Sequence, residues 1–134
     1  MSDVLIAPML FHILWVAMLY VLLTVMRAPK IWGIGAKADG TNPFAKIEPR
    51  TSANLSNQFE WPVLFYVICT LLIARPDSYQ PIYLWFAWLF VVGRIIHSIV
   101  QIFTTNIRLR GLIFTINFVA VMCMWLVLGF DFFG

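Results

Sequence analysis

One stretch of the chain, VVGRIIHSIVQIF, carries three polar side chains inside an otherwise apolar run. Arg94, His97 and Gln101 fall within about 60° of one another when the stretch is drawn as a helix, so they form one stripe. A guanidinium, an imidazole and an amide are costly in lipid unless they pair or face a wet cavity. The stripe is therefore a candidate binding site.

A second polar stripe lies before the apolar run that starts near Phe59. Asn54, Asn57 and Glu60 project over an arc of about 120° on a helix, and Arg50 leads this face. We expect the two stripes to face each other, which would place asparagine amides and a carboxylate opposite Arg94.

Two further arginines, Arg108 and Arg110, come just past the end of the Arg94 stripe. The guanidinium group of arginine binds carboxylates with two parallel hydrogen bonds, and a glutamate binds an ammonium group. An arginine close to a thiol lowers the pKa of that thiol. Glutathione has two carboxylates, an ammonium, peptide groups and a thiol. The residues alone do not select it over a phospholipid headgroup or a nucleotide.

Packing roles are the alternative for the same residues. Arg94 could form a buried ion pair with Glu60 that fixes helix packing, and His97 could be a hydrogen-bonded packing residue. Asn117 is expected to hydrogen-bond a neighbouring helix. No metal site is predicted, because His97 and His12 are distant in the sequence and lack further ligands at metal-binding spacing.

The composition indicates an integral membrane protein. Of 134 residues 62% are hydrophobic and 11% are charged, and the mean hydropathy is +0.89. A water-soluble chain of this size could not bury so much apolar surface. The net charge of +3 gives no reason to expect a nucleic-acid partner.

Four apolar segments are long enough to cross about 30 Å of hydrocarbon as helices. We predict a single domain, residues 1–134, that forms a four-helix up-down bundle, since two of the three connections are short. The predicted helices cover residues 4–26, 51–74, 82–107 and 109–131, with a loop over residues 27–50.

Positive residues are concentrated in the first and third connections. By the positive-inside rule, residues 27–50 and 104–110 are predicted to be cytoplasmic and both termini to lie on the other side. The cations of these two connections are Arg27, Lys30, Lys37, Lys46, Arg50, Arg108 and Arg110.

The helix layout and the two stripes resemble the MAPEG family, the membrane-associated proteins of eicosanoid and glutathione metabolism. The resemblance covers essentially the whole chain. It implies four membrane helices, a homotrimer, and glutathione bound between protomers on the cytosolic side. Arg27 is similar to the family arginine near the end of the first helix.

The second predicted helix is similar to the family pattern Arg-x-x-x-Asn-x-x-Glu followed by proline, in RTSANLSNQFEWP. One register uses Arg50 and Asn54 and puts Asn57 where the family has glutamate. The other register uses Asn57 and Glu60 and puts Ala53 where the family has arginine.

On the third predicted helix, Arg94, His97 and Gln101 resemble the Arg-x-x-His-x-x-x-Tyr run of the prostaglandin E synthase branch, with Gln101 at the tyrosine position. The catalytic arginine of that branch corresponds to Arg110, and that of the leukotriene synthase branch to Arg108.

The resemblance implies a glutathione-dependent transferase or peroxidase that acts on lipophilic electrophiles within the membrane. Arg110 or Arg108 would stabilise the thiolate, and the two stripes would hold the rest of glutathione. The missing tyrosine favours a second hypothesis, a non-catalytic membrane scaffold or lipid-binding protein. A small proton-coupled exporter fits less well, because the first helix has no acidic residue within it.

Overall fold

The computed structural model describes all 134 residues, and it is helical throughout, with no β-strand. Short 3-10 helices precede the first α-helix and link the third to the fourth. The predicted all-helical membrane fold is confirmed. The α-helices are α1 (Ile6–Ile31), α2 (Glu48–Asn57), α3 (Val63–Ala74), α4 (Pro81–Phe103) and α5 (Ile107–Phe133).

Three helical segments are long and apolar enough to cross a membrane, namely Ser2–Ile31, Pro81–Phe103 and Ile107–Phe133. The remaining apolar helix, α3, has 12 residues and follows α2 after a short break. Together α2 and α3 form the second of the four predicted helical segments. The chain is thus a multi-pass membrane bundle.

The second predicted helix, residues 51–74, is not continuous. The N–H groups of Gln58, Phe59 and Glu60 bond to carbonyls three residues earlier, which is the tighter 3-10 pattern, and α3 starts only after Pro62. Proline has no N–H to donate and disfavours helical geometry in the residue before it. The break changes the angular spacing of side chains between the two helices.

The first predicted helix, residues 4–26, ends too early. Pro29 does not stop α1, because the N–H groups of Trp32 and Gly33 still bond to Ala28 and Pro29 at 2.8 and 3.2 Å. The connecting loop therefore covers residues 32–47 instead of 27–50. Gly33 has a φ of 73°, a left-handed conformation that allows the chain to turn out of the helix.

The third predicted helix, residues 82–107, ends too late. Thr104 is extended, with φ −128° and ψ 164°, so α4 stops at Phe103. The Asn106 side chain then accepts the N–H of Leu109 at 3.0 Å and caps α5, which begins at Ile107. Residues 107–110 are consequently the first turn of a helix instead of loop.

Helix α4 is central, since it packs against α5, α1 and α2. Its N-terminal half joins an apolar cluster at the end of the bundle away from α2. Gly93 marks the change to the polar half: a Cβ there would lie 1.7 Å from Oδ1 of Asn117 on α5. Asn117 is fully buried, but its carboxamide has no hydrogen-bond partner within the chain, contrary to our expectation.

Candidate functional site

The side chain of Arg94 is fully buried between helices, with 0% exposure. Its Nε donates to Oε1 of Gln58 at 3.2 Å, and its Nη2 donates to Oδ1 of Asn57 at 2.8 Å. The guanidinium carbon lies 5.5 Å from the ring centroid of Trp61, within range of a cation–π contact. Neutral amides and an aromatic ring thus surround this cation.

The suggested ion pair between Arg94 and Glu60 does not form, because neither ion pair of the chain includes these residues. Glu60 lies in the 3-10 turns after α2 and is exposed. The chain leaves α2 after Asn57, so the α-helical spacing that predicted this pairing does not apply at Glu60.

Asn54 links the two predicted stripes and is itself fully buried. Its Nδ2 donates to Oε1 of Gln101 at 2.8 Å and approaches Nδ1 of His97 at 3.3 Å. Its Oδ1 accepts from Nε2 of Gln58 at 3.1 Å and from Oγ of Ser98 at 2.6 Å. All four hydrogen-bonding positions of this amide are therefore used.

The sequence-based interpretation missed Gln58 and Ser98, although both are central to the network. Each lies four residues after a predicted member, Gln58 after Asn54 and Ser98 after Arg94, and this spacing puts them on the same helix face. The signal was thus present in the sequence. Ser98 also accepts the indole N–H of Trp15 at 2.9 Å, which connects α1 to the site.

His12 on α1 extends the network beyond the predicted residues. It is almost fully buried, its Nε2 lies 2.9 Å from Oε1 of Gln58, and its Nδ1 contacts the hydroxyl of Tyr66. Because the Gln58 oxygen accepts, Nε2 of His12 carries the proton and Nδ1 accepts from the tyrosine. His12 thus has hydrogen-bond partners on both ring nitrogens.

Two cavities open where α2, α4 and α5 meet. The first, here called the outer cavity, has a volume of about 370 Å³ and contains no acidic side chain. Arg50 and Arg110 supply its charge, and both are half-buried. The outer cavity is lined by Pro49, Arg50, Ala53, Gln101, Thr104, Thr105, Asn106, Ile107 and Arg110.

The second, here called the inner cavity, has a volume of about 300 Å³ and adjoins the first, since Gln101 and Arg110 line both. Polar predicted residues provide most of its wall, again without a carboxylate. The inner cavity is lined by Asn57, His97, Gln101, Arg110, Gly111 and Phe114.

Arg108 and Arg110 both lie in the first turn of α5 but differ in position. Arg108 is exposed and lines neither cavity, whereas Arg110 lines both. No acidic residue occupies this turn. The N-terminus of a helix carries a partial positive charge. This charge adds to that of the arginines, so the cavities beside the turn favour an anion.

Arg27 lies away from both cavities. Its Nε donates to Oε1 of Glu48 at 2.7 Å, and its Nη2 donates to Oγ of Ser52 at 3.1 Å. This ion pair joins the end of α1 to the start of α2. Five of the ten predicted residues line the two cavities, namely Arg50, Asn57, His97, Gln101 and Arg110. The other five, Arg27, Asn54, Glu60, Arg94 and Arg108, line neither cavity.

A separate cavity of about 550 Å³ lies between α1 and the α2–α3 segment and is almost entirely apolar. Its wall includes Ile13, Val16 and Val67, and its two polar members are His12 and Gln58. It shares no lining residue with the outer or the inner cavity.

Among curated proteins and among solved structures, none matches this chain. One family model matches the chain. The match includes α1 to α4 completely and α5 as far as Phe130. With a match over residues 5–130, this four-helix membrane protein belongs to the MAPEG family.

Proposed function

We propose that this chain is a membrane-bound, glutathione-dependent transferase or peroxidase that acts on lipophilic electrophiles. Family membership supports glutathione-related or eicosanoid metabolism in general terms. The single observation that carries the finer proposal is the position of Arg110, which lines both adjoining cavities at the N-terminus of α5.

The two cavities suit a ligand that carries several negative charges. Arg50 and Arg110 supply two guanidiniums, and no Asp or Glu lines either wall. Glutathione places two carboxylates at the ends of a short peptide and a thiol between them. We propose that the outer cavity takes a carboxylate on Arg50 and that Arg110 stabilises the thiolate where the two cavities join.

The reaction then follows from a thiolate held at Arg110. In the transferase reaction the thiol proton is released, the sulfur forms a bond to the electrophilic carbon, and the leaving group departs with its electron pair. In the peroxidase reaction the sulfur attacks a peroxide oxygen, the O–O bond breaks, and an alcohol is released. A second glutathione thiolate then attacks the oxidised sulfur, which gives glutathione disulfide and water.

Arg27 and Glu60 line neither cavity, so we propose that they act across a protomer interface. In a homotrimer, exposed Glu60 of one chain would bind the glutathione ammonium at the cavities of its neighbour. Arg27, at the end of α1, would add positive charge near the same boundary. The large apolar side chains exposed along α1, such as Leu14 and Val21, fit a surface covered by lipid or by another protomer.

We propose the orientation that puts both cavities at the cytoplasmic face. The start of α2 and the turn before α5 contribute to the cavity walls. Residues 27–50 and 104–110, which include both, carry seven of the nine Lys and Arg residues. Glutathione would then enter from the cytosol, while the lipophilic electrophile enters from the membrane.

The test compares Arg110→Ala with Arg108→Ala in purified, detergent-solubilised protein that conjugates glutathione to a generic electrophile. We expect Arg110→Ala to lower kcat/KM about 10²- to 10³-fold, as for loss of one preorganised electrostatic group. Arg108→Ala is the matched control, because it removes the same charge from the same turn without touching either cavity, and its activity should stay near that of the wild type.

No conjugation by the wild type, or equal activity in both variants, would overturn the proposed chemistry. A non-catalytic scaffold is the competing function, and Gln101 at the tyrosine position favours it. Calorimetry separates the two proposals, since a scaffold should bind no glutathione.

A further inference from the structure

The buried amides beside the inner cavity have one consistent orientation, because an arginine can only donate hydrogen bonds. Nε of Arg94 must face the oxygen of Gln58, which turns the Gln58 nitrogen towards Asn54. Asn54 must then present its oxygen to Gln58 and its nitrogen to the oxygen of Gln101. We call the sequence Gln58–Asn54–Gln101 the amide relay.

The same reasoning determines the groups that remain free at the inner cavity. The oxygen of Gln101 faces Asn54 in the relay, so we assign its Nε2 to the cavity that Gln101 lines. Nδ1 of His97 accepts from Asn54, which leaves the proton of a neutral ring on Nε2. Oδ1 of Asn57 accepts from Arg94, which leaves its Nδ2.

We infer that Arg94 is a positioning residue that makes the inner cavity a donor-only site, with Gln101 as the donor to an anionic sulfur or carboxylate. Asn57, His97, Gln101 and Arg110 then all present N–H groups to one space. Such a cavity accepts anions and rejects groups that must donate. This inference rests on the proposed function for its ligand, but the polarity of the relay does not depend on that ligand.

The inference also gives Gln101 a role that the missing tyrosine leaves open. A phenol can donate to a thiolate but can also lose its proton, whereas a carboxamide donates at every accessible pH. A free carboxamide could present either its oxygen or its nitrogen to the cavity. The relay sets this orientation for Gln101, because Asn54 donates to its oxygen. Chains of hydrogen bonds also polarise one another, which strengthens the terminal donor next to the buried cation.

A ligand-independent test uses ¹⁵N NMR of histidine-labelled protein in micelles, where the two neutral tautomers of imidazole have distinct shifts. The chain has only His12 and His97, and His12→Gln assigns the spectrum. We expect neutral His97 with its proton on Nε2 in the wild type and in Arg94→Lys, which keeps a donor-only cation. In Arg94→Met the Nδ1–H tautomer should appear.

A wild-type His97 with its proton on Nδ1 would overturn the inference, and so would an Arg94→Met spectrum identical to that of the wild type. If Arg94→Met does not fold, the wild-type tautomer of His97 still tests the polarity of the relay, and the binding experiment below tests the Gln101 donor.

The binding experiment measures glutathione and S-methylglutathione by calorimetry with Gln101→Met. Loss of a hydrogen bond to a charged group should weaken glutathione binding roughly 10- to 100-fold. If the partner is the thiolate, S-methylglutathione should show no such loss, and if it is a carboxylate, both ligands should show it. Gln80→Met is the matched control, because Gln80 bonds to Asp131 at the opposite end of the bundle and should leave binding unchanged.

An unchanged affinity of Gln101→Met for both ligands would overturn the assigned donor. Failure of the proposed function gives a different result: wild-type protein that binds no glutathione while His97 still has its proton on Nε2.

Discussion

Both halves of α4 carry buried residues, but different forces hold them in place. Before Gly93, the buried residues Tyr83, Ala87 and Phe90 pack into the apolar cluster with α3 and α5. After it, Arg94 and His97 lie in a network of side-chain hydrogen bonds with α2. One continuous helix therefore serves as apolar core at one end and as the wall of a polar site at the other.

The difference shows that side-chain volume determines stability in the apolar half, whereas hydrogen-bond direction determines it in the polar half. Apolar packing has no direction and depends on volume, so many side chains of similar size satisfy it. In the network each donor needs an acceptor, and one mismatched atom leaves a buried polar group unpaired. We expect size changes to matter most in the apolar half, and isosteric changes of polarity to matter most in the polar half.

The largest effect is expected from Phe65→Ala on α3, in the apolar cluster that also contains the first half of α4. Phe65 is fully buried and stacks on Phe90 with ring centroids 4.2 Å apart. Removing the ring should cost about 3–5 kcal/mol of unfolding free energy, and Phe65→Leu should cost much less because it leaves a smaller cavity. Thermal unfolding in detergent measures both. Equal loss in the two variants would show that volume does not dominate this half.

The boundary between the halves is tested by Gly93→Ala. The added Cβ would meet Oδ1 of Asn117 at 1.7 Å, so the Asn117 side chain must move within a closed interface. We expect a loss of about 1–3 kcal/mol, typical of overpacking, and recovery in the double variant Gly93→Ala/Asn117→Ala. If the second substitution adds to the loss, close approach at Gly93 is not the cause.

A matched pair compares the halves directly. Ser98→Ala and Cys69→Ala each remove one heavy atom from a small, fully buried side chain, the first in the network and the second in the apolar cluster. Ser98→Ala leaves the indole N–H of Trp15 and the oxygen of Asn54 without this partner, and should cost about 1–3 kcal/mol. Cys69→Ala should cost about 1 kcal/mol or less. Unfolding midpoints in the reverse order would contradict the distinction.

The smallest effect on stability is expected from a side-chain hydrogen bond that is exposed to solvent, unlike those of the buried network. In the loop before α2 the Thr41 hydroxyl donates to Oδ1 of Asp39 at 2.6 Å, which lowers the pKa of Asp39. The contact stabilises the carboxylate form, so its contribution is present above the ordinary pKa of aspartate and is lost as the pH falls through the lowered value. Thr41→Val should raise the pKa of Asp39 without a measurable change in the unfolding midpoint. Carboxyl ¹³C titration measures it, and an unchanged pKa would show that the hydroxyl is not the cause.

The helical layout could be predicted from sequence because hydropathy acts locally along the chain. Apolar length alone identified the membrane helices, and the spacing of Arg94, His97 and Gln101 identified one polar face. The ends of helices were less predictable. Whether Pro29 ends a helix, or Pro62 divides one, depends on which hydrogen bonds the neighbouring turns can still make.

The sequence by itself determined that the chain is a membrane-embedded helical protein with two polar stripes near one end, since both properties follow from residue type and helical period. Only the tertiary structure decided the partners. It left Glu60 exposed and without an ion pair to Arg94, paired Arg27 with Glu48, and made Gln58 and Asn54 the link between the stripes. Hydrogen bonding depends on distances and directions across helices, and those arise only when the helices pack.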